Sequence, residues 1–309
     1  MMNMDRAVVV IPTYNASRHL GDLLPALQQQ GLRPDQYFVI DSSSGDDTLA
    51  RVGAFGARTH RIDKKEFNHG GTRRLAANLN PEAEFLIYMT QDAIPEPGAI
   101  KRLLEAFADD KVGVAYGRQL PRAKSSAIER HARLANYPAI NEVRSIEDAS
   151  RLGIKTVFCS NSFAAYRRTA LEGVGNFPED NYFAEDQVVS GRMLLSGWRI
   201  AYVGDAAVVH SHDYTIKEDF RRYFDVGVFH GRNPWLLEKL GKAEGAGMAF
   251  IKSETAYLLK HDPLALPSAG VRTLAKYVAY KLGQREAKLS PKTKAFLSMQ
   301  PGYWRNQIR

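Results

Sequence analysis

The sequence predicts an α/β fold, a mostly parallel sheet with helices packed on it, followed by a mainly helical and basic C-terminal region. Three observations carry this prediction. Short apolar runs alternate with amphipathic stretches through residues 7–120, the pattern of a layered α/β domain. Polar clusters stand at the carboxyl ends of those runs, where open α/β sheets bind ligands. After Tyr214 the strand-like runs stop and helical periodicity takes over.

The strand-like runs are 7–12 (AVVVIP), 37–43 (YFVIDSS), 57–63 (ARTHRID) and 84–92 (EFLIYMTQD). Between them, 17–31, 46–56 and 71–80 read as helices. Leu20, Leu23, Leu24 and Leu27 recur at i, i+3, i+4, i+7 and define one helix face. Gly31 is a plausible stop. Pro25 fits poorly in a helix interior, so the helix proper is expected to begin near Gly21. Residues 155–168 read as a strand pair or one long bent strand, 183–198 as a helix opened by acids, and 199–214 as strand. Trp198 and the single cysteine, Cys159, read as core.

Several polar groups have a chemistry of their own. Asp41 ends an apolar strand and can accept from the N3–H of a thymine or uracil ring, or can open a polar turn. Asp46 and Asp47 precede Thr48 as helix N-terminal residues do. In NHGGTRR (68–74), backbone N–H groups at a helix start suit an anion, and Arg73 could add paired donors to a phosphate. Asn78 on the same helix reads as packing. His210 and His212 are two apart on a strand-like run and point the same way. Glu185 and Asp186 are adjacent acids at a helix start, which helps keep them ionised.

Taken together, VVVIPTYNASRHLGDLLPALQQQ, VIDSSSGDDT, TQDAIP and AEDQVVSGRMLLSGW resemble family 2 glycosyltransferases of the GT-A (nucleotide-diphospho-sugar transferase, Rossmann-like) fold. The likeness covers roughly residues 7–213. EFNHGGTRR, VVHSHDYT and the terminal PGYW resemble the rhamnosyltransferase branch, which implies dTDP-L-rhamnose as donor. The resemblance implies a nucleotide slot lined by Pro12, Thr13, Tyr14, Asp41, His69, Gly70, Arg73 and Gln91, with Asp41 reading the base. It implies Asp92 as the metal carboxylate. The family pair Asp-x-Asp is reduced here to Gln91-Asp92, with His210, and after it His212, as further ligands. A cation that takes most of its ligands from phosphates and water can manage with one protein carboxylate; imidazole would shift preference from Mg²⁺ towards Mn²⁺. The resemblance implies Asp186 as the base that deprotonates the acceptor, with Glu185 orienting the acceptor or a supporting group.

The bulk numbers fit this reading. The chain has 309 residues, 44% hydrophobic and 25% charged, with a net charge of +8. From Tyr214 onward there are 17 Lys+Arg against 8 Asp+Glu, so +9, leaving −1 for residues 1–213. The expected organisation is a catalytic domain over 1–213 and a basic helical region over 214–309 that serves a glycan acceptor, lipid-diphosphate-linked in such pathways, and contacts an anionic membrane surface. No apolar run approaches the ~18–20 residues that span a bilayer. No secretory leader is read at the start, and one cysteine fits a reducing compartment, so the expected location is cytoplasmic, peripheral on the inner membrane face. Charge alone would also suit RNA, but no recognition module or interleaved aromatic pattern accompanies it, and no nucleic-acid partner is expected. A UDP-sugar donor and a non-catalytic nucleotide-sugar-binding protein remain as alternatives. A nucleotidyltransferase would need a Gly-rich basic loop after the first strand, which IPTYNAS lacks.

Overall fold

The computed structural model describes residues 4–179, 181–243 and 245–306. Its strands are β1 (Ala7–Thr13), β2 (Tyr37–Asp41), β3 (Arg58–Arg61), β4 (Phe85–Met89), β5 (Ile94–Pro95), β6 (Val112–Leu120), β7 (Asn141–Arg144), β8 (Phe163–Arg167) and β9 (Arg199–Val209). They form one sheet in the order β3-β2-β1-β4-β8-β6-β9-β5, with β7 also paired to β9. The first half is parallel, β1 lying between β2 and β4. The expectation of a mostly parallel sheet holds there and for β6 beside β9, which are also parallel. Strand β8 runs antiparallel to both β4 and β6, and β5 and β7 run antiparallel to β9.

Strands β1, β2 and β4 are apolar because both sheet faces are covered there, while β3, at the sheet edge, is polar and mostly exposed. Val9 and Ile11 face one core, built with Leu20, Leu23 and Leu27 of α1 (Ser17–Gln28), Val52 of α2 (Thr48–Phe55) and Leu103 of α4 (Ala99–Glu105). Val10 and Ile40 face the opposite core, with Ala76 of α3 (His69–Asn78) and Val189 and Met193 of α8 (Glu185–Leu195). Helices α5 (Ala127–Asn136), α6 (Ala149–Leu152) and α7 (Arg168–Gly173) connect the later strands.

Two local expectations are corrected. Helix α1 starts at Ser17 and carries Pro25 inside it. Pro25 and Gly21 are both exposed, so the carbonyl that proline leaves without a donor can bond water. Residues 155–168 are not a strand pair: a 3₁₀ segment, Gly153–Val157, precedes the single strand β8.

Beyond β9 the described chain is helical: α9 (Ile216–Arg232), α10 (Pro234–Leu240), α11 (Ala246–His261), α12 (Leu266–Gly283), α13 (Pro291–Leu297) and α14 (Pro301–Asn306). Helices α9 and α12 touch backbone to backbone. A Cβ on Gly227 would stand 2.2 Å from the carbonyl oxygen of Tyr280, and one on Gly283 would stand 2.1 Å from that of Phe224. This region joins the sheet-containing half through a small core of its own. Trp304 is fully buried beside Phe224 and Val228, and Tyr303 stacks on Tyr182 at 4.3 Å.

Candidate active site

The carboxyl ends of β1, β2 and β4 form one polar rim. Thr13 Oγ1 donates to Asp41 Oδ1 at 3.0 Å, and Ser44 donates to both Asp41 oxygens, from its N–H at 2.8 Å and its hydroxyl at 2.5 Å. Asp41 is fully buried. Its carboxylate therefore ties the rim together, and a base reaching it would have to fit beside these three donors. The hydroxyl of Ser42, next in sequence, is buried without a partner. Pro12 lies in β1 itself. Tyr14 is partly exposed and its hydroxyl accepts from Lys64 at 2.6 Å. Gln91 differs from its expected role in the slot. Its amide pairs with the Tyr14 backbone, accepting from N–H at 2.8 Å and donating to the carbonyl at 3.3 Å. It clamps the β1 end to the β4 end. Asp46 caps α2 through the Thr48 N–H at 3.1 Å and also accepts from Ser17 N–H at 3.2 Å.

One residue past Gln91, Asp92 meets the two histidines that follow β9. Asp92 Oδ1 is 3.4 Å from His210 Nε2, Asp92 Oδ2 is 3.2 Å from His212 Nε2, and the two Nε2 atoms are 3.1 Å apart. The three residues are the group of donors among the described residues that could hold a metal ion. The hydrogen bonds behind them fix their chemistry. Arg133 donates to Gln119 Oε1 at 2.5 Å, and a guanidinium can only donate. His210 Nδ1, 3.0 Å from the same oxygen, must then carry a hydrogen. In neutral His210 this leaves the Nε2 lone pair aimed at Asp92 and His212. A carboxylate and imidazole lone pairs repel unless something positive lies between them, a proton or a cation. An imidazole held by its other nitrogen, with a free lone pair beside a carboxylate, is how proteins present histidine to metals. Burial pushes Asp92 up, but the hydrogen bond from His210 and the charge of both rings in their protonated form outweigh it and hold the carboxyl well below the usual carboxylate range. Burial, with His210 beside it, pushes His212 down to about 4. Arg122 Nη2 donates to the Asp92 carbonyl at 2.7 Å and its backbone N–H to Ser211 at 3.0 Å, joining the two loops.

The acid pair opens α8. Ala184 before it has φ 56°, a left-handed conformation that an alanine adopts at a cost. Glu185 turns inward to Arg73 Nη1 at 2.8 Å, both side chains being 6% exposed, and accepts from Asn161 Nδ2 at 2.9 Å. Asp186 accepts from the backbone N–H of the same Asn161 at 3.1 Å and of Gln187 at 2.8 Å. Burial, reinforced by the Glu185 charge, pushes its carboxyl up to about 7.

Arg73 is thus corrected from phosphate donor to the buried partner of Glu185. Gly70 is corrected as well: a Cβ there would stand 1.8 Å from the Pro178 carbonyl oxygen, so the missing side chain serves close packing. His69 lines a cleft of about 450 Å³ between residues 64–69, Asn181–Tyr182 and Gln300–Tyr303. Burial lowers its pKa, with Glu185 opposing and Arg73 reinforcing the shift. Gln119, Arg122 and Arg133 were not singled out in the sequence, because nothing near them in the chain marks their long-range partners.

Comparison with known proteins gives the family and the fold. The model of Glycosyl transferase family 2 matches residues 8–175. The chain is 43% identical to the O-antigen chain rhamnosyltransferase RfbN of Salmonella typhimurium, over 97% of this chain and 96% of that one. It is 43% identical to the O-antigen chain rhamnosyltransferase WbaN of Salmonella anatum, over 98% and 97%. In fold it resembles a mannosyltransferase of Pyrobaculum calidifontis in complex with GDP-Man and Mn²⁺ (TM-score 0.58, 18% identity, 98% of this chain and 87% of that one). It also resembles residues 1–349 of TarS from S. aureus in complex with UDP-GlcNAc (TM-score 0.56, 17% identity, 97% and 87%). These structures establish the GT-A fold.

The Arg73–Glu185 pair generates a prediction. Removing one member leaves a buried charge without its partner, so Arg73→Met or Glu185→Gln should each lower unfolding stability by about 3 kcal/mol in urea titrations. The double variant should cost less than the sum of the singles. Additive losses would show that the two side chains are not energetically coupled.

Proposed function

The chain belongs to glycosyl transferase family 2, and we propose that it is an inverting transferase that moves L-rhamnose from dTDP-L-rhamnose onto a hydroxyl of an O-antigen-type glycan. The observation that carries the reaction class is the convergence of Asp92, His210 and His212 at the sheet rim that also holds Thr13, Asp41 and Gln91. The choice of sugar and acceptor rests on the likeness, over nearly full length, to two O-antigen chain rhamnosyltransferases.

Asp92, His210 and His212 would hold a divalent cation, and two imidazoles favour Mn²⁺ over Mg²⁺. Such an ion, when bound, neutralises charge on the leaving diphosphate. The protein's own part falls to Asp186. Its carboxylate takes the proton of the acceptor hydroxyl as that oxygen bonds to the anomeric carbon. The bond from that carbon to the diphosphate oxygen breaks on the opposite face, dTDP leaves with the electron pair, and the configuration inverts. Glu185 acts as a positioning residue: its charge keeps the Asp186 carboxyl raised, and its bond to Arg73 fixes the start of α8. In this reading residues 1–213 hold the donor and 214–309 shape the acceptor side.

Contact with a membrane surface belongs to the same proposal. No described helix is long and apolar enough to cross a membrane. The turn between α11 and α12 instead projects Leu264, 92% exposed, near exposed Leu259, Val271 and Leu274, from a region of net charge +9. Apolar side chains among cations suit the interface of an anionic bilayer. The location proposed is the cytoplasmic face of the plasma membrane.

Two measurements follow. A base must be ionised to act, and the Asp186 carboxyl sits at about 7, so turnover of dTDP-L-rhamnose should rise with pH through that value. Asp186→Asn should reduce kcat by about 10²–10⁴-fold; near-normal turnover in this variant would remove the base assignment. Flotation with liposomes containing anionic lipid should retain the protein at low salt, with Leu264→Glu released. Equal behaviour with neutral and anionic liposomes would rule out the charged contact.

A further inference from the structure

A second cleft, of about 440 Å³, lies between α5, α9, α11 and α12, within the size range of ligand pockets. Its walls are aromatic: Tyr223, Phe250, Tyr277 and Tyr280. Glu254 of α11 lines it and is 6% exposed. Among the described residues no group donates a hydrogen bond to this carboxylate or pairs with it at contact distance. Lys276, also lining the cleft, pairs instead with Asp219 at 3.5 Å, and Arg272 pairs with the same Asp219 at 2.5 Å. Burial pushes the Glu254 carboxyl up, as expected of an acid without a close partner.

A carboxylate that opens on a cleft and has no protein donor can accept from a ligand that supplies one. The chemistry of the lining narrows the class. Glu254 disfavours an anion, and Lys276 together with Lys155 disfavours a cation. A carboxylate in the wall disfavours an aliphatic chain. A neutral ligand with hydroxyl donors and apolar faces remains, which describes a pyranose: its hydroxyls donate to carboxylates and its C–H faces lie on aromatic rings.

The cleft also adjoins the transfer site. On α5, Glu129 and Arg133 brace the loop at His212 and the Gln119 amide, while Ala132 and Asn136 of the same helix line the cleft. On α9, Arg222 lies over Tyr214, whose ring stacks on His212, and the next residue, Tyr223, lines the cleft. We propose that this cleft holds a pyranose unit of the acceptor glycan, one removed from the unit whose hydroxyl reacts, with Glu254 accepting its hydroxyl hydrogens and Tyr277 and Tyr223 against its faces. That the glycan is the acceptor rests on the transfer reaction proposed above; that the cleft binds a neutral sugar does not.

The test is saturation-transfer NMR on the full chain with methyl α-glycosides of rhamnose, mannose, galactose and glucose, each with the donor site filled by dTDP and Mn²⁺ and again without them. Octanol and choline serve as probes of the apolar and cationic alternatives. At least one glycoside should bind in both conditions, and about tenfold more weakly to Glu254→Gln and to Tyr277→Ala, the loss of roughly one charged hydrogen bond or one stacked face. Tyr277 is 61% exposed and Gln is isosteric with Glu, so both variants should fold, and calorimetric dTDP affinity should be unchanged in them. Binding of no glycoside, binding indifferent to both substitutions, or binding of octanol or choline alone would overturn the proposal. Sugar binding without any dTDP binding would leave the cleft intact and remove the transferase reading, so the two failures are distinguishable.

Discussion

The site depends first on a buried ion pair. Arg73 from α3 and Glu185 from α8 meet at 2.8 Å, each almost out of water. Burying both charges is expensive unless each is well bonded. Glu185 also accepts from Asn161, whose side-chain oxygen accepts from Tyr166, and Arg73 donates to the His69 carbonyl. Helices α3 and α8 and the loop before β8 therefore meet at one carboxylate. With Glu185 anchored to Arg73, its neighbour Asp186 is held beside it by the backbone N–H of the same Asn161. Its raised carboxyl follows from the same arrangement, through burial and the fixed negative charge beside it.

A second set of constraints holds the rim at the carboxyl end of the sheet. Gln91 locks the β1 turn, Arg122 locks the Asp92 loop to Ser211, and the relay Arg133–Gln119–His210 sets which imidazole nitrogen faces Asp92. In the proposed metal site the single carboxylate is joined by a second and third donor from the chain just after β9. Helix α5 is central to this, since it braces the His212 loop on one side and lines the aromatic cleft on the other.

The parts of this organisation legible in the sequence are those set by local pattern. Strands β1, β2 and β4 are continuous apolar runs because they are covered on both faces, and α1 shows its buried leucines at helical spacing. The proximity of His210 and His212 follows from their being two residues apart. Their approach to Asp92 was an implication of family resemblance, because β5, just after Asp92, is paired with the end of β9 by the fold and by no local signal. The antiparallel β8 was obscured by the loop Cys159–Ser162 and the 3₁₀ segment before it, which read as strand by composition alone. Arg73 was misread for a related reason. A guanidinium next to two glycines at a helix start suits a phosphate, and only the fold reveals that it turns inward to an acid from another helix. Pro25 inside α1 was likewise undecidable from propensity, since the outcome depended on whether the Gly21 carbonyl could reach water.

The most direct test of the central claim, a nucleotide-diphosphate site built on Asp92, His210 and His212, is calorimetric titration of dTDP and UDP with Mn²⁺, with Mg²⁺ and with EDTA. The account predicts tight dTDP binding with Mn²⁺ that collapses in EDTA and in Asp92→Ala, with UDP weaker. Binding of dTDP that ignores both EDTA and Asp92→Ala, or no binding of either nucleotide, would contradict it.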